Sequence, residues 1–378
     1  IVYHILIAPD SFKESLSATD VARYLKTGLQ KALPDADISL APISDGGEGF
    51  VEAMVNGTNG YTRRAIVSDA LMRPVDAAIG FSPDGETAFI GMAEACGLER
   101  LSPEERNPIL TSPFGVGQMM KYAAEQNCKK IIIGIGGSAT NDGGAGLAQA
   151  LGVKLLNKDG NELLPGGGNL GQLYRIDTSK TIKNLPEIIV ACDVTNPLTG
   201  ATGASAIYGP QKGATAEMVK QLDSHLKHFA AVIRQQMGIE IEYIPGSGAA
   251  GGLGGGLMAF TNARLANGFQ TVADAINLEK KIVQANIVIT GEGCIDAQTL
   301  NGKAPYGVAL LARQYGKPVI GVAGTLRKGY NNLTNNGFQL LLSIINRPMT
   351  LQEAIAQTAE LLEETGFQIG NILKLRAY

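Results

Sequence analysis

The sequence predicts an α/β protein with a doubly wound domain and a second, inserted mixed α/β domain. Both ends of the chain alternate short apolar runs with helix-forming segments, which is typical of β-α-β units and parallel sheets. The middle instead has strand-like runs separated by turn residues, and 378 residues are many for one core. We expect residues 1–66 and 285–378 to form the doubly wound domain and 67–284 the inserted one. Small ligands usually bind at domain interfaces, so we expect the active site in the cleft between them.

The first β-α-β unit begins with an apolar run at residues 3–8, which predicts a strand. Val21, Leu25 and Leu29 then share one face of a helix, and residues 38–43 predict a second strand. In open α/β sheets ligands bind beyond the carboxyl ends of the strands. The turns that follow these two strands are therefore candidate parts of a site.

Both turns are polar. Their candidate ligand contacts are Asp10, Ser11, Lys13, Asp45, Gly46, Gly47 and Glu48. Carboxylates there could hold Mg²⁺ or accept a proton from a hydroxyl, and Lys13 could pair with a phosphate or a carboxylate. The alternative is helix capping and turn formation, in which Asp and Ser are common.

From about residue 62 the pattern changes to three short runs, RRAIV, VDAAIGF and TAFIGM, separated by turn signals. This spacing predicts antiparallel strands. A helix is predicted at 117–126, with Thr111 and Ser112 either capping it or contacting substrate.

The most informative stretch is residues 129–152, KKIIIGIGGSATNDGGAGLAQALG, which predicts a buried strand, a glycine-rich loop and a helix. Backbone N–H groups of such a loop can approach an anion closely, so we expect Gly136, Gly137 and Ser138 to hold phosphate. Asn141 and Asp142 could position a metal or a substrate hydroxyl. The alternative is that the glycines serve the turn alone.

Gly134, Gly136 and Ala139 also match the G-x-G-x-x-A pattern of dinucleotide-binding folds. That reading requires an acidic residue at the end of a second strand about twenty residues later. Asp159-Gly160 instead predicts a hairpin turn at that distance, so the match is weak.

The remaining candidates follow later strands. The apolar run at 187–192 ends at Asp193, a typical place for a metal ligand or base in phosphoryl transfer. Lys212 is either a phosphate contact or a surface lysine. A long helix is predicted at 217–237, and the glycine-rich segment 245–256 is either an anion site or close helix packing.

A strand at 285–290 opens a polar loop with acidic and basic side chains, GEGCIDAQTLNGK. Gly291 and Glu292 could contact a nucleotide, Glu292 and Asp296 could hold a metal, and Lys303 could neutralise phosphate charge. The loop is not a Walker A sequence. Helices at 308–315 and 351–365 and strands at 318–323 and 340–345 complete the prediction.

Composition excludes several classes of function. With 32 basic and 35 acidic residues the net charge is −3, which gives no excess of positive charge for nucleic acid or an anionic membrane. The four cysteines lack metal-site spacing. No apolar run is long enough to span a membrane, so we expect a soluble, cytoplasmic protein.

Taken together, the motifs closely resemble the bacterial glycerate kinase family of the two-domain type I. The matching segments, in family order, are IAPDSFKESLSA, SDGGEG, IIIGIGGSATNDGGAG, ACDVTNPLTG, GPQKGA, GSGAAGGLG and VITGEGCIDAQTLNGK. The resemblance implies a Rossmann-like domain and ATP- and Mg²⁺-dependent phosphorylation of D-glycerate at the 2-hydroxyl. Alternatives are the 3-hydroxyl or a related hydroxy acid. The expected partners are D-glycerate, ATP and a second copy of the chain in a homodimer.

For this reaction we expect direct in-line transfer. Asp45 or Asp193 would accept the hydroxyl proton, and Lys13 or Lys303 would neutralise charge or bind the substrate carboxylate. The chain departs from the family pattern at Gly91, where Glu is usual, and at Cys294, where Arg is usual. Other hypotheses are an NAD-dependent hydroxy-acid oxidoreductase and a metabolite-binding sensor.

Overall fold

The computed structural model describes residues 3–44, 46–296, 299 and 303–375. The chain divides into two compact units. The first contains Ile1–Asp45, Glu52–Asn59 and Phe269–Tyr378, and the second contains Gly46–Val51 and Gly60–Gly268. The domain limits predicted from the sequence, and the site in a cleft between domains, stay predictions.

The strands in the described part of the chain are β1 (His4–Ile7), β2 (Asp37–Leu40), β3 (Tyr61–Ser68), β4 (Pro74–Phe81), β5 (Thr87–Gly91), β6 (Lys130–Gly134), β7 (Lys154–Leu156), β8 (Arg175–Asp177), β9 (Glu187–Ala191), β10 (Arg264–Ala266), β11 (Ile287–Ile295), β12 (Val319–Leu326) and β13 (Leu340–Ser343). The α-helices there are α1 (Ala18–Ala32), α2 (Phe50–Thr58), α3 (Ala93–Cys96), α4 (Phe114–Glu125), α5 (Ala145–Ala150), α6 (Ala204–Tyr208), α7 (Ala216–Met237), α8 (Ala249–Phe260), α9 (Gly268–Ala275), α10 (Leu278–Gln284), α11 (Ala304–Gln314), α12 (Leu351–Ala356) and α13 (Thr358–Lys374). None of these helices is long and apolar enough to cross a membrane.

The first unit is built on a sheet in the order β13-β12-β11-β1-β2, in which every neighbouring pair is parallel. The predicted β-α-β unit and parallel sheet are therefore confirmed. Val21, Leu25 and Leu29 of α1 are fully buried, as their helical spacing predicts. In this sheet the carboxyl end of β1 lies beside β11, with Ile7 paired to Ile289.

One helix of the first unit differs from the prediction. The sequence predicts a single helix at residues 351–365, but α12 ends at Ala356 and α13 begins at Thr358. Gln357 lies between them with φ −105° and ψ 10°. Thr350 caps α12, and its side chain accepts a hydrogen bond from the Glu353 N–H.

The second unit contains a sheet in the order β10-β9-β6-β5-β4-β3. The pairs β3-β4 and β4-β5 are antiparallel, so the predicted hairpins are confirmed, while β5, β6, β9 and β10 pair in parallel. Because β6 lies inside this sheet, its apolar residues are buried. The glycine-rich loop therefore starts from the interior of the unit.

Of two helices predicted in the second unit, one corrects the prediction and the other confirms it. Helix α4 begins at Phe114, and neither Thr111 nor Ser112 caps it, since Pro113 is the capping residue. Thr111 instead donates a 2.8 Å hydrogen bond from Oγ1 to the Ala139 carbonyl. The predicted long helix is confirmed as α7, capped by Thr215.

Candidate functional site

The glycine-rich loop that follows β6 packs against a second predicted segment, Gly46-Gly47. The Gly136 N–H donates a 2.9 Å hydrogen bond to the Gly46 carbonyl. A Cβ at Gly136 would lie 2.6 Å from Gly47 Cα, closer than real side chains approach backbone. The structure therefore brings together two of the predicted phosphate- and substrate-binding segments. Asp45, a predicted proton acceptor, lies outside the described residues.

The next two residues have unused hydrogen-bond donors. Within the described residues, the backbone N–H groups of Gly137 and Ser138 have no protein acceptor. Gly137 is exposed and has a φ of 72°, a left-handed conformation that glycine adopts readily. Successive N–H groups in such a turn form a concave site for an anion. This geometry supports the predicted phosphate contact.

Lys212 lies behind this turn and is buried. Its side chain is 1% exposed, so the alternative of a surface lysine is wrong. Its Nζ donates hydrogen bonds of 2.7 Å to Ser138 Oγ and of 2.7 Å to the Thr140 carbonyl. Burial lowers the pKa of Lys212 to about 7, and the charge of Asp142 acts in the opposite direction.

Asp142 and Asn141 are buried within the same loop. Asp142 is 1% exposed, and its Oδ1 and Oδ2 accept 2.9 Å hydrogen bonds from the Gly144 and Gly146 N–H groups. Burial raises the pKa of Asp142 to about 6, while these hydrogen bonds and Lys212 lower it. Asn141 is fully buried and donates from Nδ2 to Ser205 Oγ at 2.9 Å. These contacts favour a structural role, in which Asn141 and Asp142 hold the loop in place, and not the predicted role as substrate contacts.

Asp193 lies two residues beyond β9, a neighbour of β6 in the sheet. It is exposed, and its Oδ1 accepts hydrogen bonds from Asn267 Nδ2 at 2.6 Å and from the Gly268 N–H at 2.8 Å. Two donors on one oxygen fix the orientation of the carboxyl group. Asn267 is not among the residues that the sequence predicts for the site, although Asn-Gly at 267–268 is a recognisable turn signal.

The first unit contains a further group of predicted residues, which lie after β1, within the second half of β11 and after it. The Asp10 N–H donates a 2.8 Å hydrogen bond to the Gly291 carbonyl. The Ser11 N–H in turn donates to Asp10 Oδ1 at 2.6 Å. The turn PDSFK therefore lies beside the second half of β11, which extends past the carboxyl end of β1.

Glu292 contacts two side chains of this group. Its Oε2 lies 3.0 Å from Lys303 Nζ, and its Oε1 accepts a 3.0 Å hydrogen bond from Thr299 Oγ1. Burial raises the pKa of Glu292, while Lys303, Thr299 and the charge of the exposed Lys13 lower it. The predicted acid and lysine are thus brought together. Thr299 was missed, because a threonine in a polar loop carries no distinguishing signal.

Asp296 follows β11 and contacts the same threonine. The Asp296 N–H donates to Thr299 Oγ1 at 3.2 Å, which links the predicted metal ligands Asp296 and Glu292 through one hydroxyl. In the described part of the chain, no group of three or more His, Cys, Asp or Glu residues could hold a metal ion. Magnesium in kinases is held by one or two carboxylates together with substrate phosphates, so the oxygen donors of this loop fit that role.

Comparison with known proteins identifies the family. The model of the glycerate kinase family matches residues 5–374. The chain belongs to the glycerate kinase family. It is 49% identical over 352 residues to the glycerate 2-kinase of Escherichia coli (strain K12), covering 93% of this chain and 92% of that protein. It is 47% identical over 367 residues to a glycerate kinase of Halalkalibacterium halodurans, covering 97% of both chains.

A solved structure agrees. A crystal structure of a protein provisionally named glycerate kinase 2, from Salmonella typhimurium LT2, matches with a TM-score of 0.88 at 45% identity and full coverage of both chains. The chain is therefore an enzyme, a kinase that phosphorylates glycerate, and ATP use follows from the family.

Membership of the family sets aside the oxidoreductase and sensor hypotheses, and the fold agrees. Strand β7 pairs with β8 in a separate antiparallel sheet, not beside β6 as a dinucleotide-binding unit requires. The two departures from the family pattern are placed as follows: Gly91 ends β5 and is buried, and Cys294 lies in β11 and is half-buried.

Proposed function

We propose that the enzyme transfers the γ-phosphoryl group of MgATP to the 2-hydroxyl of D-glycerate. The observation that carries the phosphate assignment is the turn at Gly137 and Ser138, where two successive N–H groups have no acceptor among the described residues. Unpaired donors at the end of a buried strand stabilise negative charge in a fixed position. The name of the Escherichia coli relative, glycerate 2-kinase, supports the 2-hydroxyl.

In this proposal Gly136, Gly137 and Ser138 hold phosphate oxygens, and Asp193 accepts the proton of the glycerate hydroxyl. The Asn267 and Gly268 donors orient the Asp193 carboxyl group for that transfer. Asp45 is the alternative proton acceptor.

The proposed nucleotide and acid contacts of the first unit are Asp10, Ser11, Gly291 and Glu292. Lys13 and Lys303 would neutralise developing charge or bind the substrate carboxylate. The contact between Lys303 and Glu292 holds that lysine in a fixed position at the carboxyl end of the sheet.

Mg²⁺ would neutralise phosphate charge when bound, and its candidate ligands are Asp193, Glu292 and Asp296. Carboxylate oxygens are the donors that Mg²⁺ prefers in proteins. A homodimer also belongs to the proposal, and light scattering of the purified protein tests it.

The decisive experiment incubates the purified protein with D-glycerate or L-glycerate, with ATP, and with or without Mg²⁺. We expect ADP and a single product from D-glycerate, with the ³¹P NMR spectrum of 2-phosphoglycerate. A spectrum of 3-phosphoglycerate would reassign the acceptor to the 3-hydroxyl. Absence of ADP formation with either enantiomer would refute the proposal.

A further inference from the structure

Lys212 is a buried cation that the proposed reaction does not yet use. It lies in a 3-10 turn, Pro210–Lys212, yet contacts Ser138, which is 74 residues away in the sequence. Removing an ammonium group from water is costly unless hydrogen bonds replace the lost hydration. Its two 2.7 Å hydrogen bonds both end on the loop segment 138–140. Both of these hydrogen bonds therefore hold the ammonium group against this loop.

The direction of the hydrogen bond to Ser138 has a chemical consequence. A protonated amine has three donors and no acceptor, so Ser138 Oγ must accept the hydrogen bond from Lys212. The hydroxyl hydrogen of Ser138 can then be donated to another group. No acceptor for it exists among the described residues. The negative charges of Asp142 and of a bound phosphate favour the protonated amine that this direction requires.

Lys212 is too deeply buried to bind a nucleotide as a surface lysine would. Its side chain is 1% exposed, whereas Ser138 is 7% exposed and follows the exposed Gly137. A hydroxyl that donates beside two N–H groups adds a third hydrogen-bond donor to the same turn. The adjacent cation also strengthens that donor, because hydrogen bonds in a chain polarise one another.

We propose that Lys212 is a positioning residue that fixes the Ser138 hydroxyl as a donor to a phosphate oxygen of ATP. Lys212 acts through Ser138 and does not contact the nucleotide. This proposal rests on the proposed function, since it takes the phosphate site at Gly136, Gly137 and Ser138 as given.

The test is a double-mutant cycle on the KM for ATP. Lys212→Met fills the buried space without donors, and Ser138→Ala removes the hydroxyl. Each should raise the KM for ATP roughly 10- to 100-fold, the effect expected for loss of a hydrogen bond to a charged group. The KM for glycerate should stay within about twofold, and the double variant should be no worse than the worse single variant, because both remove one interaction.

A matched control comes from a partly buried lysine of the first unit, Lys281. Lys281 donates a 2.8 Å hydrogen bond from Nζ to the Gly57 carbonyl. Lys281→Met removes a similar structural contact and should leave the KM for ATP unchanged. Thermal unfolding of every variant separates loss of fold from loss of positioning.

Each outcome decides between the proposals. A wild-type protein without ATP-dependent turnover overturns both. If the wild type is active and a folded Lys212→Met has an unchanged KM for ATP, only the role of Lys212 is overturned. The same holds if the fold-increases in the KM for ATP of the two single variants multiply in the double variant. If Lys212→Met does not fold, Ser138→Ala decides: an unchanged KM for ATP contradicts the assigned donor, and a raised one supports it.

Discussion

Gly136→Ala tests whether bare backbone at the glycine loop is needed for catalysis. The added Cβ would lie 2.6 Å from Gly47 Cα and 3.0 Å from Gly47 N. Ordinary van der Waals contact begins at 3.4 Å, so the two segments must separate by about 0.8 Å, the difference between 3.4 and 2.6 Å. The neighbouring atoms are backbone, so no side chain can rotate to relieve the contact.

This displacement has two energetic consequences. The hydrogen bond from the Gly136 N–H to the Gly46 carbonyl would lengthen from 2.9 Å by a similar amount, beyond hydrogen-bond range. Its loss costs about 1 kcal/mol, and overpacking adds about 1–3 kcal/mol. A shift of about 1 Å at a substrate-positioning segment typically costs about 100-fold in rate. We therefore expect kcat/KM for ATP to fall about 100-fold, and the melting temperature to fall by several degrees.

Gly160→Ala is the matched control. Gly160 has a φ of 82° and no atom within 4 Å of an added Cβ, so the substitution strains the backbone by about 1 kcal/mol without a steric clash. Steady-state kinetics and thermal unfolding of both variants are measured together. Gly160→Ala should lose stability and keep full turnover. If Gly136→Ala also keeps kcat/KM within about threefold of the wild type, tight packing of the two segments is not needed and the reasoning is wrong.

Three further predictions address charge and metal. Asp193→Asn should reduce kcat by about 10²–10⁴ with an unchanged melting temperature. The control Asp159→Asn, in an exposed turn, should leave kcat unchanged. Near-normal turnover of Asp193→Asn would show that Asp193 does not accept the proton. EDTA should abolish turnover yet leave the melting temperature of the nucleotide-free protein unchanged, because no three-residue metal cluster exists in the described residues. A large loss of stability would indicate a structural metal instead. The pKa of Lys212 is lowered from 10.5 to about 7, so between these pH values the unfolded state binds more protons. The contribution of Lys212 to the free energy of unfolding should therefore rise with pH, by at most about 1.4 kcal/mol per pH unit. In urea unfolding at pH 7 and 9, the free energy of unfolding should rise less in Lys212→Met than in the wild type. Equal rises in the two proteins would contradict the lowered pKa.

The sequence predicts those parts of the fold that depend on local pattern. Residues 131–133 and 145–151 lie in or beside β6 and α5, and the antiparallel strands at 61–91 form as their turn signals indicate. The predicted polar turn at Asp10 lies at the carboxyl end of a parallel strand. This placement could be predicted because short connections in a β-α-β unit limit how its strands can pair.

Long-range partners could not be predicted in the same way. The segment GPQKGA has the polar composition of a surface turn, and only the folded structure shows that Lys212 is buried against Ser138. Similarly, an aspartate in a glycine-rich loop has the same local sequence whether it contacts a ligand or a helix terminus. Asp142 accepts hydrogen bonds from the first turn of α5 and its flanking residue, a role that depends on the loop conformation.

The two glycine-rich segments of the second unit have different roles, although their compositions are alike. In α8 a Cβ at Gly251 would lie 1.9 Å from the Thr140 carbonyl oxygen, so this segment packs directly against the loop that follows β6. Of the two alternatives for residues 245–256, this contact favours close packing over an anion site. The Thr140 carbonyl also accepts the hydrogen bond from Lys212, so one peptide is held by both α8 and the buried cation. With that side of the loop occupied by protein, the N–H groups of Gly137 and Ser138 are donors that the described protein leaves for a ligand.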